Sequence, residues 1–285
     1  MHLYFAPSSE VQSWGDRAKQ EAQRALEQDA DLAETHQALA AVYGKTEFDW
    51  PRTISESKQA LELNPSLELP HYLVARAFCH LGLLETAEDE VREGLEINPN
   101  AHSRSEDEFE ALRTKGNTAF LQGRFADAVA SLEEAHRLSA GPVSDWWLAQ
   151  AYYYQGQKER AERLLEELQR SSSASAAARA QSILSSILAA RGERLRAKEL
   201  IRSLESGAYM DHHVAYSLGL AHAQLGEREQ AITWLRKAAE TGFPCFPWFE
   251  RDRLLEPLRN DSNFQHFMAE LKNNYETAKA RYGTH

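Results

Sequence analysis

The sequence has little of several features that mark particular classes of protein. Its two cysteines, Cys79 and Cys245, have no C-x-x-C context, so we expect free thiols rather than a disulfide. Nowhere do about 18 apolar residues follow one another, and the first residues lack the basic and apolar segments of a signal peptide. These absences predict a cytoplasmic protein without a membrane span.

Positive charge is also scarce. Lys and Arg number 32 against 43 Asp and Glu, which gives a net charge of −11 and an isoelectric point near 5.5. Surfaces that bind nucleic acid or anionic membranes are basic, so we expect this chain to bind neither directly.

Catalytic motifs are missing as well. The chain has no HExxH, GxSxG, HRD or DFG sequence. Gly44-Lys45-Thr46 has the ending of a phosphate-binding loop, but Leu39 stands where its leading glycine belongs. We therefore predict a protein that is not an enzyme and has no cofactor.

The histidines do not predict a metal site. His212 and His213 are adjacent, so on a helix their side chains point about 100° apart, and an exposed helix start is the simpler interpretation. His71 and His80 have no acidic or cysteine residue on their face of the helix. The acidic residues between Glu85 and Glu90 are interpreted as a solvated helix face.

One stretch, residues 115–135, contains a complete helix-turn-helix pattern. Gly116 and Ala128 are small where two antiparallel helices would cross, and Phe120 and Leu132 are large where they would interlock. Gly123 lies between the two helical patterns and can adopt the left-handed conformation that ends a helix. Large residues in place of Gly116 or Ala128 should force the helices apart.

The same pattern recurs along the chain. Gly123, Gly156, Gly192 and Gly226 are 33, 36 and 34 residues apart, and an alanine follows each by five residues. This ladder resembles the tetratricopeptide (TPR) repeat, whose period is 34. The resemblance implies an all-α fold, a right-handed solenoid of helix-turn-helix repeats. A last amphipathic helix over residues 262–282 would cap it.

Breaks in the repeat suggest the organisation of the chain. The spacing between turn glycines widens to 41 residues around the polar segment 99–108, where we predict a loop or joint. The predicted regions are repeats over 1–98, the first of them partial, the joint at 99–108, repeats over 109–244, and an extended turn with the capping helix over 245–285. The incomplete first repeat leads us to expect that the chain is the C-terminal part of a longer protein.

A segment after the last repeat points to one group of TPR proteins. It is similar to the ending of the TPR regions in bacterial multidomain signalling proteins, namely serine/threonine kinases, adenylate cyclases and winged-helix regulators. The residues that carry this similarity are Asp252, Leu254, Leu255, Pro257, Leu258, Arg259, Asp261 and Phe264. The resemblance implies a regulatory or sensing arm of such a protein and specifies no ligand.

The first helix of each repeat would line a concave groove. Aromatic and hydrogen-bonding side chains there suit an extended peptide or a helix of a protein partner, although half of the aromatics could instead pack repeat against repeat. We predict a non-catalytic protein-protein interaction module; the alternative is a scaffold for self-association. The predicted groove residues are Tyr72, Arg76, Arg113, Asn117, Phe120, Trp146, Gln150, Tyr153, Tyr154 and Tyr216.

Two groove residues resemble part of a more specific site. Arg113 and Asn117 match the first two polar positions of TPR domains that clamp the acidic C-terminal tails of chaperones. Trp147 and Ile183 then replace the asparagine and the base that such a clamp requires. Together with the negative net charge, this disfavours an acidic tail as the partner.

Overall fold

The computed structural model describes residues 8–97, 106–139, 142–207 and 209–283, and these ranges contain helices and turns but no strand. The chain divides into two compact units, Met1–Ser144 and Asp145–Gly283. Residues 99–105 of the predicted joint lie outside the described residues, and residues 106–108 begin a helix. None of the described helices combines the length and the apolar composition that a membrane crossing requires.

Unit 1 is built from antiparallel helix pairs preceded by one long helix. Its first pair has a wide turn, because the first helix continues through a π-helical turn, Tyr43–Glu47, before Asp49 caps the next helix by accepting a hydrogen bond from Arg52 N. The helices are α1 (Ser8–Gln28), α2 (Ala33–Val42), α3 (Trp50–Leu63), α4 (Leu69–Leu81), α5 (Leu84–Ile97), α6 (Glu106–Leu121) and α7 (Phe125–Leu138).

Unit 2 repeats the same pairing and ends in a different arrangement. The segment that the sequence assigns to an extended turn contains a short helix and a 3-10 turn, Arg253–Leu258. The helices are α8 (Pro142–Gln155), α9 (Lys158–Gln169), α10 (Ala174–Ala190), α11 (Arg194–Glu205), α12 (His212–Leu225), α13 (Arg228–Glu240), α14 (Phe246–Arg251) and α15 (Ser262–Tyr282).

The turn glycines have the predicted conformation. Gly123, Gly156, Gly192 and Gly226 have φ angles of 82°, 99°, 86° and 78°, in the left-handed region that a side chain disfavours. The backbone N–H of each glycine donates a hydrogen bond to the carbonyl oxygen three residues earlier, as in Gly226 N to Ala223 O at 3.1 Å. The ladder therefore marks helix ends.

Two further glycines let paired helices touch. A Cβ atom on Gly116 would lie 2.5 Å from Leu132 Cγ, and one on Gly219 would lie 2.6 Å from Leu235 Cγ. Carbon atoms in contact are normally about 3.5–4.0 Å apart, so each helix pair is closer than any side chain at these positions allows. Leu132 and Leu235 are fully buried and fill the crossing.

The C-terminal helix α15 has the predicted bounds and closes unit 2. Asp261 caps it by accepting from the amides of Asn263 and Phe264 at 2.9 and 3.2 Å. Phe264, Phe267 and Leu271 are buried on one side of the helix. Burial of each such side chain contributes about 1.5–3 kcal/mol, so α15 is a firmly attached cap.

Candidate partner-binding face

A cluster around Trp146 lies on the first helices of the repeats in unit 2. The Trp146 ring centroid is 4.4 Å from that of Trp147 and 4.7 Å from that of His213, and Arg179 Cζ lies 5.1 Å from the Trp146 centroid. Contacts of a guanidinium with an indole are worth about 0.5–2 kcal/mol. We call Trp146, Gln150, Arg179, Asp211 and His213 the Trp146 face.

An ion pair fixes the charged part of this face. Arg179 donates through Nε and Nη2 to Asp211 Oδ2 at 2.9 and 2.6 Å, and Tyr209 donates its hydroxyl to the same oxygen at 2.9 Å. Asp211 also caps α12, because its Oδ1 accepts from Val214 N at 2.8 Å. Burial alone would raise the pKa of Asp211, but Arg179 and the other donors lower it from 3.8 to about 2.

Two polar nitrogens of the face lack hydrogen-bond acceptors. Trp146 Nε1 and Gln150 Nε2 are shielded from solvent, and across the described ranges no acceptor lies within hydrogen-bond distance of either atom. Trp146 is 3% exposed, whereas Gln150 is half-buried. Because more than about 90% of buried polar groups in proteins have a partner, two unpaired donors one helical turn apart require an explanation.

Two predicted groove residues, Tyr154 and Tyr216, belong to a buried network instead. Their hydroxyls donate to the two carboxylate oxygens of Asp252 at 2.6 and 2.7 Å, and Leu254 N donates to Asp252 Oδ1 at 2.9 Å. Burial raises the pKa of Asp252, and burial together with the Asp252 charge raises the pKa of both tyrosines. The aspartate therefore ties α8 and α12 to the C-terminal turn.

The segment that follows Asp252 packs within unit 2. Leu254, Leu255 and Leu258 are buried, and Arg259 donates to the carbonyl oxygens of Phe249 and Asp252. Phe249 lies on α14, so the arginine joins the last turn to that helix. The matching residues are thus accounted for by packing within the unit.

Tyr153 lies at the border of the core. It is 8% exposed, and Arg253 lies 5.3 Å from its ring centroid while donating to its carbonyl oxygen at 3.1 Å. Burial raises the pKa of its hydroxyl. Of the five predicted groove residues in unit 2, Trp146 and Gln150 are the two with a solvent-shielded side-chain nitrogen that has no hydrogen-bond partner among the described residues.

In unit 1 the predicted aromatics pack in the core. Tyr72 is 2% exposed, and its ring fills the space beside Gly94. Phe120 is 1% exposed, with its ring centroid 5.6 Å from that of Phe125. The packing alternative for the aromatics therefore describes these two residues.

The predicted polar residues of unit 1 lie on α4 and α6. Arg113 and Asn117 are buried, and Arg76 is partly exposed. Arg113 forms an ion pair with Glu110, one turn earlier on the same helix, and Lys45 lies 3.3 Å from the same carboxylate. Burial raises the pKa of Glu110, but the charges of Arg113 and Lys45 lower it more strongly. A carboxylate of the chain thus already binds Arg113, which further disfavours an acidic-tail partner.

Two expectations about histidines are wrong. His212 is 1% exposed and stacks on Phe243 and His213, so it does not begin an exposed helix. His71 does have acidic company, because Glu90 and Glu93 approach it from the next helix. Spacing within one helix cannot reveal a partner on a facing helix.

The sequence did not single out Asp211, which belongs to the Trp146 face, or Tyr209, which donates a hydrogen bond to it. A signal was present, since Asp211 follows Arg179 by 32 residues, close to one repeat. Residues one period apart occupy equivalent places on neighbouring helices, so pairs of opposite charge at that spacing are candidates for contact.

Comparison with known proteins supports the repeat assignment. Residues 212–241, which cover α12 and α13, match the sequence model of the family described as Tetratricopeptide repeat. No curated protein matches the sequence.

Several solved structures have a similar fold. A tetratricopeptide repeat protein from Parabacteroides merdae gives a TM-score of 0.53 at 17% identity, over 89% of this chain and 96% of its own. A Rap protein complexed with competence and sporulation factor gives 0.60 at 15% identity, over 85% and 76%. The human IFIT1 dimer with m7Gppp-AAAA gives 0.58 at 16% identity, over 93% and 66%. At these identities the likeness concerns the fold: the described residues form an all-α arrangement of helix pairs similar to that of tetratricopeptide-repeat proteins, and residues 212–241 match one such repeat.

Proposed function

We propose that the chain is a non-catalytic interaction module that binds an extended peptide segment of a protein partner on the Trp146 face. The TPR fold indicates a protein-protein interaction module, since stacked repeats present long surfaces to partners. A protein of similar fold, the Rap protein, was solved in complex with competence and sporulation factor.

The observation that carries the proposal is the pair of unpaired donors. Each buried donor without an acceptor costs about 1–3 kcal/mol, and a ligand carbonyl would recover that free energy. Trp146 and Gln150 are four residues apart on α8, which corresponds to a rise of about 6 Å. Carbonyl groups on one edge of an extended chain recur about every 6.6 Å, so both donors could bind one main chain.

Access to these donors involves side chains at the edge of the face. Gln150 is half-buried, and the Arg179 side chain beside the indole is 15% exposed. Recognition of a peptide main chain needs little charge complementarity. This suits unit 2, which is nearly neutral because residues 145–285 contain 19 Lys and Arg against 18 Asp and Glu.

Selection from a displayed peptide library on the full chain, followed by fluorescence anisotropy with a selected peptide, tests the proposal. Trp146→Phe removes the N–H donor but keeps an aromatic ring, and we expect it to weaken binding by about tenfold, the effect of about 1.4 kcal/mol. Gln150→Met should act similarly. The matched control is Trp234→Phe on α13, which should leave the affinity unchanged.

Stability separates this role from a purely structural one. If the unpaired donor is a cost to the fold, Trp146→Phe should leave the melting temperature unchanged or raise it. The proposal fails if no selected peptide binds, or if Trp146→Phe and Trp234→Phe bind the peptide equally well. Self-association, the alternative from the sequence, predicts instead a mass in light scattering that rises with concentration.

We also propose that this module is the regulatory arm of a bacterial signalling protein acting in the cytoplasm. The support is the resemblance carried by the segment from Asp252 to Phe264. Sequencing the genomic region around the coding segment tests it. A kinase, cyclase or winged-helix domain in the same reading frame is expected, and a frame that encodes none of them would contradict it.

A further inference from the structure

A histidine and two glutamates meet between α4 and α5 of unit 1, the helix pair on either side of the turn glycine Gly82. His71 Nδ1 on α4 lies 2.9 Å from Glu90 Oε2 and 3.9 Å from Glu93 Oε2, both on α5. One ligand atom from each residue lies within 4.8 Å of the other two. The side chains of His71 and Glu90 are 12% and 17% exposed, and that of Glu93 is 58% exposed, so the group is accessible from one side.

The packing of α4 on α5 holds these residues together. Glu90 and Glu93 are three residues apart and therefore share one face of α5. Gly94 allows α4 to approach that face, because a Cβ atom there would lie 3.1 Å from His71 Cβ and 2.7 Å from Tyr72 Cε1. The distance between the ligand atoms is thus set by a helix crossing rather than by flexible side chains alone.

Among the described residues the Glu90 and Glu93 carboxylates have no directly paired Lys or Arg, although the charge of Arg92, the residue before Glu93, acts on Glu93 from a longer distance. The surroundings are also acidic, since residues 1–144 contain 13 Lys and Arg against 25 Asp and Glu. Two neighbouring carboxylates in such a field favour a divalent cation.

We propose that His71, Glu90 and Glu93 bind a zinc ion, with water in the fourth position. Zinc is bound by histidine nitrogen at about 2.0–2.1 Å and by carboxylate oxygen at about 2.0–2.2 Å in tetrahedral geometry, which separates ligand atoms by about 3.4 Å. The two distances from His71 Nδ1 to the carboxylate oxygens each differ from that separation by about 0.5 Å, so side-chain movements would bring the three ligand atoms around one ion. The imidazole selects zinc over calcium and magnesium, which prefer oxygen ligands alone.

The first repeat of the same unit supplies a natural comparison. His36 Nδ1 on α2 lies 2.7 Å from Glu56 Oε2 on α3, and its other ring nitrogen lies 3.2 Å from the Ala30 carbonyl oxygen. This pair resembles that of His71 and Glu90 but has no third ligand in the described structure. A hydrogen-bonded His–Glu pair is therefore a recurring way to join two helices, and Glu93 is what distinguishes the zinc site.

Calorimetric titration of the chelator-treated, tag-free chain with zinc chloride at neutral pH tests the proposal. We expect one ion per chain, with affinity lowered at least about 10- to 100-fold by His71→Ala or Glu93→Gln. His36→Ala is the matched control and should bind zinc as the wild type does. Cobalt in place of zinc should give the visible absorption of a tetrahedral site, and calcium should not displace it.

The melting temperature with and without zinc is a second measurement, which remains informative if a variant is less stable than the wild type. Zinc should raise the melting temperature of the wild type, because it binds the folded chain, and should not raise that of Glu93→Gln. Glu93 is more than half exposed, so this substitution leaves the packing intact. The proposal is overturned if the wild type shows no saturable zinc binding, or if binding persists unchanged in Glu93→Gln and His71→Ala.

Discussion

The crossing of α12 and α13 yields a quantitative prediction about how this repeat is packed. In Gly219→Ala the new methyl group would start 2.6 Å from Leu235 Cγ, 2.7 Å from Leu235 Cδ2 and 3.2 Å from Leu235 N. Helix propensity favours alanine by about 1 kcal/mol, whereas overpacking costs about 1–3 kcal/mol. Because the backbone nitrogen is also too close, rotation of the leucine side chain cannot relieve the clash. We expect a net loss of up to about 2 kcal/mol.

Combining Gly219→Ala with Leu235→Ala shows whether the leucine is what excludes a side chain at residue 219. Removal of the fully buried leucine should by itself cost about 3–5 kcal/mol. In the double variant the added methyl group occupies part of the vacated space, so the two severe contacts with the leucine side chain disappear, the 3.2 Å approach to the backbone nitrogen remains, and the helix propensity gain is kept. The double variant should therefore be about 1–3 kcal/mol more stable than the sum of the single effects predicts.

Hydrogen exchange of the α12 and α13 amides is the suitable assay, because long repeat proteins do not always unfold in one step. Gly116→Ala is the control, since its methyl group meets Leu132 rather than Leu235. Combined with Leu235→Ala, it should give additive losses. Additive losses for Gly219→Ala with Leu235→Ala would refute the idea that the glycine is required by this contact.

Two further predictions concern the buried carboxylates. Tyr216→Phe removes one hydrogen-bond donor from Asp252 and should lower the free energy of unfolding by about 1.5–3 kcal/mol near pH 7, measured by denaturant unfolding. The loss should shrink toward pH 4. The reason is that the pKa of Asp252 is raised in the folded state, so the carboxylate becomes protonated as the pH falls and no longer needs the donor. Asp211→Asn should cost about 2 kcal/mol near pH 7, and the difference from the wild type should fade between pH 4 and pH 2, because the folded-state pKa is lowered from 3.8 to about 2. A difference that is constant with pH would contradict either account.

The structural features that could be predicted from the sequence are those that depend on the residue type at a single position or on the pattern of a single helix. A left-handed turn favours glycine, so Gly123 and Gly226 revealed helix ends without knowledge of their neighbours. A close crossing excludes side chains, so Gly116 revealed where α6 meets α7. The apolar period of residues 262–282 likewise gave the bounds of α15. In each case the structural requirement acts on one residue or one helix, so it is visible in a short stretch of sequence.

The features that could not be predicted depend on residues distant in the chain. Asp252 is separated from Tyr154 by 98 residues, and no pattern in the sequence joins an aspartate to two tyrosines at that range. His71 and Glu90 are 19 residues apart on facing helices, and their contact depends on how α4 rotates against α5. Aromatic residues were the hardest to place, because the same side chains serve a repeat core and a binding face equally well.

The distribution of charge gives the two proposed sites different physical requirements. Residues 1–144 carry a net charge of −12 and residues 145–285 one of +1, so almost the whole excess of acid belongs to the first half. An acidic surface concentrates cations around it, which suits the group formed by His71, Glu90 and Glu93. Around Trp146 there is little net field, so recognition there has to depend on directed hydrogen bonds and packing. Because each repeat contacts mainly its neighbours, a zinc ion between α4 and α5 can stiffen its own repeat while Trp146 and Gln150 remain available to a peptide.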